Sequence, residues 1–581
     1  MVCRVAPKAD TPTHRGMSSD TNNTPGAQVQ EIADYETALD AAGYGSFSRS
    51  VLGACVLAFF TSGIQNCVMS YALPAARCEL QLTTYQAGLI NMAFMSGGVA
   101  SAFFWGIVGD VFGRRNILSL TLLVDSAILL AQSTVSDYRV LLAARSINGF
   151  LIGAPSTLVF TYLSDLVGVK KRQLYLNITG MSFVAAWLIL PAIAWLIIPY
   201  NMSKRSLLPL YSWRLYVALL SAPGLLAGAW LLLLPESPRL LAATRRADRA
   251  LALLANIHRR NTGVAEFRIK KLIEENIFVV KSANGEQSRT KALFISVLKD
   301  LKMFVSKAYA MKSSLILFVF FANMAAGFGL NLWIPELLLR MQTKDCSATL
   351  ALPEKAKLFN ATNTAWRDLP KSYDMYRDVE YNNTVLDVHD MRRGDEKCEE
   401  HIDDAVFTSG LIVGAICVAG NAACAVLCAR GGARGVQRAA AACALACALA
   451  CAALACCVCA CAGTGQLAVA AAAALNAASL NGNVLLIRLL LHALPAKLSG
   501  LGVCWGAWWG RAGGVLSNAA VGALLDYSCP APFLAVAALL AVSIGGIMMI
   551  KLEENKPEEE AKTDDSVEKN TGLDRYITTH M

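Results

Sequence analysis

Long apolar blocks alternate with short polar breaks along most of the chain. They fall at residues 49–75, 85–109, 115–136, 139–167, 174–199, 214–234, 312–339, 405–428, 437–461, 466–493, 500–525 and 532–551. Each reaches the roughly 20 residues that carry an α-helix across a hydrocarbon core of ~30 Å. Only helices satisfy their own backbone groups in blocks this long and continuous, so each block is predicted to be a spanning helix. The pattern therefore predicts an all-α membrane protein with twelve transmembrane helices in two six-helix bundles. Blocks nine and ten are the hardest to part, because 439–478 is dominated by Ala and Cys. Gly463, Thr464, Gly465 and Gln466 supply the break.

The polar stretches divide the chain further. Residues 1–48 form an N-terminal segment whose Glu31, Asp34, Glu36 and Asp40 leave no apolar core for a removable signal peptide. The first bundle is 49–234 and the second is 312–551, with an outer loop at 341–405. Between them, the 235–311 linker carries Leu251, Leu254 and Ile257, then Ile269, Leu272 and Ile273, at helical spacing. Short amphipathic helices on the inner membrane face are expected there. The acidic tail 552–581 has almost no apolar clustering and is expected to be disordered.

Charge placement sets the orientation. With both termini in the cytosol, Arg114, Arg115, Lys170, Lys171, Arg172, Arg430, Arg434, Arg438 and Lys497 all fall on the cytosolic side. The stretch 235–312, with 16 Lys/Arg against 7 Asp/Glu, falls there too, while 341–405, with 9 against 14, falls outside. The net charge of +9 thus reflects membrane topology, and no nucleic-acid partner is expected. The lipid bilayer and a small-molecule solute are the partners expected. A plasma, secretory-vesicle or synaptic-vesicle membrane fits this multi-pass arrangement.

Chemistry-bearing clusters are scarce. The chain shows no nucleotide loop, metal cluster or nucleophile–base arrangement in a soluble domain, so neither an enzyme, a cofactor nor a bound metal is expected. Most of the 18 cysteines sit inside spans. Cys443, Cys447 and Cys451, with their Ala neighbours, make a small-residue face suited to close helix packing. Cys346 and Cys398 lie in the outer loop, where oxidation can join them. Asn360 and Asn382 head glycosylation sequons in the same loop.

After the second span comes Gly106-Ile-Val-Gly-Asp110-Val-Phe-Gly113-Arg114-Arg115. The glycines permit a tight turn, Asp110 can meet a basic group or a helix N-terminus, and the arginines hold the inner surface. This resembles the signature of the major facilitator superfamily, with Val111 where a basic residue is frequent. Arg145-Ser-Ile-Asn-Gly149 resembles the family's pattern in helix 4. That arginine either faces the interior or snorkels outward. Trp213-Arg214 and Pro235-Glu236-Ser237-Pro238-Arg239 resemble the sugar-porter, organic-ion and synaptic-vesicle branches. The stretches Tyr35–Gly45, Tyr71–Leu80 and Gly329–Glu336 look like the synaptic vesicle glycoprotein 2 family and its insect-type relatives. The resemblance covers about residues 33–552 and is strongest in the first half.

The resemblance implies an alternating-access carrier. It implies that Gly106, Asp110, Gly113, Arg114 and Arg115 latch the two halves on the cytosolic side, with Arg145 a further gating candidate. It also implies that Trp195 and Trp333 bracket a central cavity, although both positions suit belt tryptophans equally well. Ser62, Gln65, Asn331 and Asn483 are expected to supply hydrogen bonds there, and this uncharged lining favours a neutral, sugar-like solute. Ser62 and Gln65 stand where vertebrate members carry acids, Pro495-Ala-Lys-Leu-Ser499 departs from the family's Pro-Thr-x-x-Arg, and no Asp accompanies the second basic motif. Asp125 is the main proton-coupling candidate left, with Glu336 near the outer end of helix 7. The rival expectation is a transport-inactive vesicle or membrane interaction protein of the same family type.

Overall fold

A computed structural model describes residues 32–77, 79–101, 104–199, 212–243, 247–264, 266–272, 302–304, 306, 309–337, 404–428, 433–460, 465–494, 496–525 and 528–550. Strand β1 (Ile32–Ala33) and helix α1 (Tyr35–Ala41) precede α2 (Ser46–Ala76), α3 (Thr84–Ser101), α4 (Phe104–Phe112), α5 (Arg114–Gln132), α6 (Tyr138–Leu166), α7 (Val169–Ile197) and α8 (Ser212–Leu232). Two short helices, α9 (Pro238–Ala243) and α10 (Ala247–Thr262), lead to β2 (Lys271–Leu272). The second set is α11 (Ala310–Met324), α12 (Asp404–Cys428), α13 (Ala433–Ala460), α14 (Gly465–Ala493), α15 (Ala496–Leu524) and α16 (Ala531–Met549).

Ten helices among the described residues are long and apolar enough to cross a membrane. The pair α3–α4 and the helix α15 hold the second and eleventh of the expected places. They pack inside the bundle, α3 against α6 and α15, and α15 against α11. The chain is a multi-pass membrane protein. "Outer" and "inner" below denote the faces assigned from charge placement.

Small residues set the closest approaches. A Cβ on Gly149 would sit 1.8 Å from the Phe94 carbonyl oxygen, and one on Gly97 would sit 2.1 Å from that of Ser146. The backbones of α3 and α6 therefore touch, as small residues in membrane helices allow. Gly149→Ala is expected to destabilise the protein by about 1–3 kcal/mol, the usual cost of overpacking. A thermal melt in detergent reads this, and an unchanged midpoint would mean the helices part there. Cys447 and Cys451 are buried on α13, and the Cys447 Sγ lies 3.8 Å from the Leu475 carbonyl oxygen on α14. The small-residue face thus meets a neighbouring helix as expected.

Three features depart from the hydropathy reading. The linker forms its first amphipathic helix, with Leu254 and Ile257 buried on α10, but Ile269 and Leu272 do not continue as helix. Lys271–Leu272 instead pairs in parallel with Ile32–Ala33, which satisfies backbone groups while both apolar side chains stay buried. Residues 41–48 are fastened to α10. The Asn261 amide donates to the Gly43 carbonyl at 2.9 Å and accepts from the Ser48 N–H at 3.2 Å. Finally, the seventh block is not one regular helix. It runs as α-helix to Met324, as a π-turn over Ala325–Leu330 and as a 3-10 turn over Asn331–Trp333. Gly327 and Gly329 permit this, since a Cβ on them would strike Ser479 and Ser517. Such turns concentrate at functional sites.

The expected loop pair Cys346 and Cys398, the sequons at Asn360 and Asn382, and the 552–581 tail lie outside the described residues. Cys529, just before α16, is disulfide-bonded. The sequence reading had not singled it out.

Candidate functional site

The first bundle encloses a charged network. Asp125 on α5 and Arg145 on α6 are both buried, and Gln65 on α2 stands between them. The Gln65 Nε2 donates to an Asp125 carboxylate oxygen at 2.7 Å, and the Arg145 guanidinium donates to the Gln65 side-chain oxygen at 2.9 Å and to its backbone carbonyl at 3.0 Å. The Asn148 amide donates to the Asp125 backbone and side-chain oxygens, and Gln132 donates to Asn148. The Arg145 guanidinium also lies 4.3 Å from the Phe94 ring centre. A buried acid and a buried base are thus joined through one amide that reads both charges. Arg145 faces the interior and does not snorkel. Gln65 spends both side-chain groups inside this network.

At the inner face the arginine motif is stitched to its own bundle. Gly113 takes φ +100°, where L side chains are strained, and a Cβ would lie 2.3 Å from Glu236. Arg114 pairs with Asp165 on α6, and the Ser237 hydroxyl donates to the same carboxylate at 2.6 Å. The Arg115 N–H donates to Glu236 at 3.1 Å, and its guanidinium caps the Leu231 and Leu232 carbonyls of α8. Arg239 and Arg172 both reach Glu36 on α1, and the Tyr35 hydroxyl donates to the Asp165 carbonyl at 2.6 Å. Burial, with the nearby Asp165 charge, pushes the Tyr35 phenol well above its usual value, which keeps it a donor. These partners of Arg114 and Arg115 lie in the first half. Gly106 is buried on α4, and the side chain of Asp110 lies outside the described residues.

The halves meet over their outer parts. Arg77, just past α2, pairs with Glu336 at 2.9 Å. Trp333 is buried, its indole N–H donates to Asn518 on α15 at 3.2 Å, and its ring packs against Gly88 on α3 and Gly522 on α15. A Cβ on either glycine would lie 3.2 Å from the other's Cα. Gly410 and Gly414 of α12 press against Tyr71, Pro191 and the Leu188 backbone of the first half. A cavity of about 30 Å³ remains between Asn91, Arg77, Trp333 and Glu336, room for a water or two. At the inner end, α4 packs against α5 and α6 of its own half.

The remaining candidates separate. Trp195 is 39% exposed, and its N–H donates to Asp404 at 2.9 Å at the start of α12. That is a ring with one polar anchor at a membrane edge. It is not brought to Trp333. Ser62 is buried with an unpartnered hydroxyl. The Asn483 amide nitrogen lies 3.7 Å from the Met324 sulfur, and its oxygen is buried without a partner. The side chain of Asn331 lies outside the described residues. Sequence reasoning missed Gln132, Asn148, Asp165, Asn518 and Arg77, whose partners are distant in the chain. It also missed Arg511 on α15, where a single basic residue inside a long apolar block was the available signal.

The family model of the Major Facilitator Superfamily matches residues 54–353. Synaptic vesicle glycoprotein 2B of Homo sapiens is 28% identical over 352 residues, 58% of this chain and 52% of that protein. Synaptic vesicle glycoprotein 2A of Rattus norvegicus is 27% identical over 371 residues, 59% of this chain and 50% of that protein. The chain thus spans about half the length of the curated relatives it matches. Among solved structures, the inward-open xylose transporter XylE from E. coli aligns with a TM-score of 0.56 at 14% identity, covering 89% of this chain and 99% of that one. Its partially occluded inward-open form gives 0.56 at 14%, covering 87% and 100%. The fold is shared with these solved transporters, and the chain belongs to the Major Facilitator Superfamily.

Proposed function

We propose that the protein is a secondary transporter that carries a small organic or sugar-like solute by alternating access. The outer seam is the observation that carries this reading. The halves meet there along two helix pairs, α3 with α15 and α7 with α12, with the Arg77–Glu336 ion pair and the Trp333 ring against Gly88 on this seam, while α4 stays with its own half. A seam of two helix pairs built largely on small residues can part and reform as a unit, which is what a rocking-bundle carrier requires. The conformer is closed outside, and the solute is released or taken up from the inner face. The Asp125–Gln65–Arg145 network lies wholly within the first half, so it can bias that half's packing without spanning the seam.

Alternating access is tested with spin labels at Tyr85 on α3 and Leu534 on α16, exposed positions near the outer ends of opposite halves. The labels are attached through an unnatural residue, because 18 native cysteines would compete. Pulsed dipolar spectroscopy in nanodiscs is expected to show a dominant short distance and a minor longer one. A single short distance under every condition of pH and added solute would sink the carrier reading. It would leave the transport-inactive vesicle or membrane interaction protein in its place.

A further inference from the structure

Arg511 lies near the middle of α15, about 20 Å from either end at the usual helical rise. Exposed Trp509, Leu516 and Ala523, spaced by sevens, mark the lipid face of that helix. Arg511 projects about 140° away from it, toward the same side as Asn518 and Gly522. That side meets α3 of the other half. The guanidinium makes one hydrogen bond among the described residues, at 2.6 Å to the Gly98 carbonyl oxygen, which the Ser101 hydroxyl already reaches at 3.0 Å. No carboxylate of the described residues pairs with it. A guanidinium carries five N–H donors, and the Gly98 carbonyl takes up only part of that capacity.

A cation at mid-membrane depth is costly without a counter-charge. The first bundle meets this cost for Arg145 with Asp125. The described part of the second bundle has no such partner for Arg511. Two further groups beside the same stretch are unsatisfied: the Ser517 hydroxyl, next to Gly329 of the π-turn, and the Asn483 side-chain oxygen, next to Met324. Arg511 is flanked by Gly510 and Gly514, which pack on Met324 and Phe328. The stretch Met324–Gly329 of the seventh span thus has near it a cation without a carboxylate partner among the described residues, an unpartnered hydroxyl and an unpartnered amide oxygen.

We infer that Arg511 is the solute-binding cation of this carrier and that the solute is a small organic carboxylate. The inference rests on the transporter reading above and replaces the neutral solute expected from the uncharged candidates. A carboxylate pairs with the guanidinium fork through two parallel bonds. Its hydroxyl or amine reaches Asn483 and Ser517. Because Arg511 stands on the seam between halves, a solute bound there touches both and has different contacts in the two conformers, as coupling requires.

The test uses the full chain in proteoliposomes and three tracers on one scaffold: D-glucuronate, D-glucose and D-glucosamine. Glucuronate is expected to enter fastest. Arg511→Gln should slow it by at least about tenfold, the scale of one lost charge-assisted bond, and Arg511→Lys should recover part of the rate. Glucose entering fastest, with Arg511→Gln leaving its rate unchanged, would overturn the anion site and leave the transporter standing. If no tracer enters, thermal melts decide. Stabilisation of the wild type by glucuronate and not glucose, lost in Arg511→Gln, keeps the anion site and removes transport. No stabilisation removes both.

Discussion

Arg145→Met is expected to destabilise the protein by about 3–5 kcal/mol, because it leaves the Asp125 carboxylate buried without its base. The argument follows from the bonds around Gln65. Its amide nitrogen serves Asp125 and its amide oxygen serves Arg145, so one side chain is held in one orientation by two opposite charges. Remove the guanidinium, and the oxygen loses its donor and the carboxylate its counter-charge. Asn148 still donates to Asp125, but a neutral amide offsets only part of a full charge. Asp125→Asn with Arg145→Met should recover most of the loss, since removing both charges also removes the penalty that each alone leaves behind. A double-mutant cycle on melting midpoints, with monodispersity as a control, measures the coupling. If the single and double variants melt alike, the two charges do not act as a pair.

The spans were legible because membrane insertion is a property of local composition. Twenty apolar residues in a row need no partner to be recognised. The same logic placed Arg114 and Arg115 at the inner surface and Arg145 and Asp125 inside spans, but it could not say what each meets. Arg114 finds Asp165 and Arg115 finds Glu236, 51 and 121 residues along the chain, and both are intra-bundle partners. A charge pattern read linearly gives the side of the membrane and not the helix across the gap. The seventh span was drawn as one helix because hydropathy has no term for a π-turn. Gly327 and Gly329 were visible, yet their meaning depends on Ser479 and Ser517 facing them.

Two errors have a common origin. Trp195 and Trp333 were paired because the family resemblance puts aromatic residues of helices 5 and 7 around a cavity, and nothing in either sequence neighbourhood distinguishes a ring at the lipid edge from one at a seam. The difference comes from what approaches: Asp404 at the one, facing glycines at the other. Arg511 was legible by the rule applied to Arg145, that a cation inside a span faces protein or water. It was passed over because the family likeness drew attention to uncharged positions. The short strand pair fell beyond reach for another reason. Two residues carry no periodicity, and the pairing of Ile32 with Lys271 joins segments more than two hundred residues apart.

Trp333→Ala is expected to open the outer face. Truncating a buried tryptophan costs about 3–5 kcal/mol when the surroundings cannot collapse. Here they cannot collapse far, because Gly88 and Gly522 are already in backbone contact beside the ring. Asn518 keeps its bonds to the Phe328 and Gly514 carbonyls at 2.9 Å, so α15 and the seventh span stay joined. The loss therefore falls on the contact between halves. A conformer that has already parted them does not bear it. The shift toward the outward-open form is then at least about a hundredfold, at 1.4 kcal/mol per factor of ten. The Arg77–Glu336 pair above it is a weaker clasp, since Arg77 is 43% exposed and such pairs contribute about 1 kcal/mol or less. Glu336→Gln should accordingly move the same equilibrium by no more than about fivefold. Labels at Tyr85 and Leu534 read both changes without any solute present. If Trp333 instead served only as a stacking surface for the solute, the solute-free distances in Trp333→Ala would match the wild type, and its role as the outer seal would be lost.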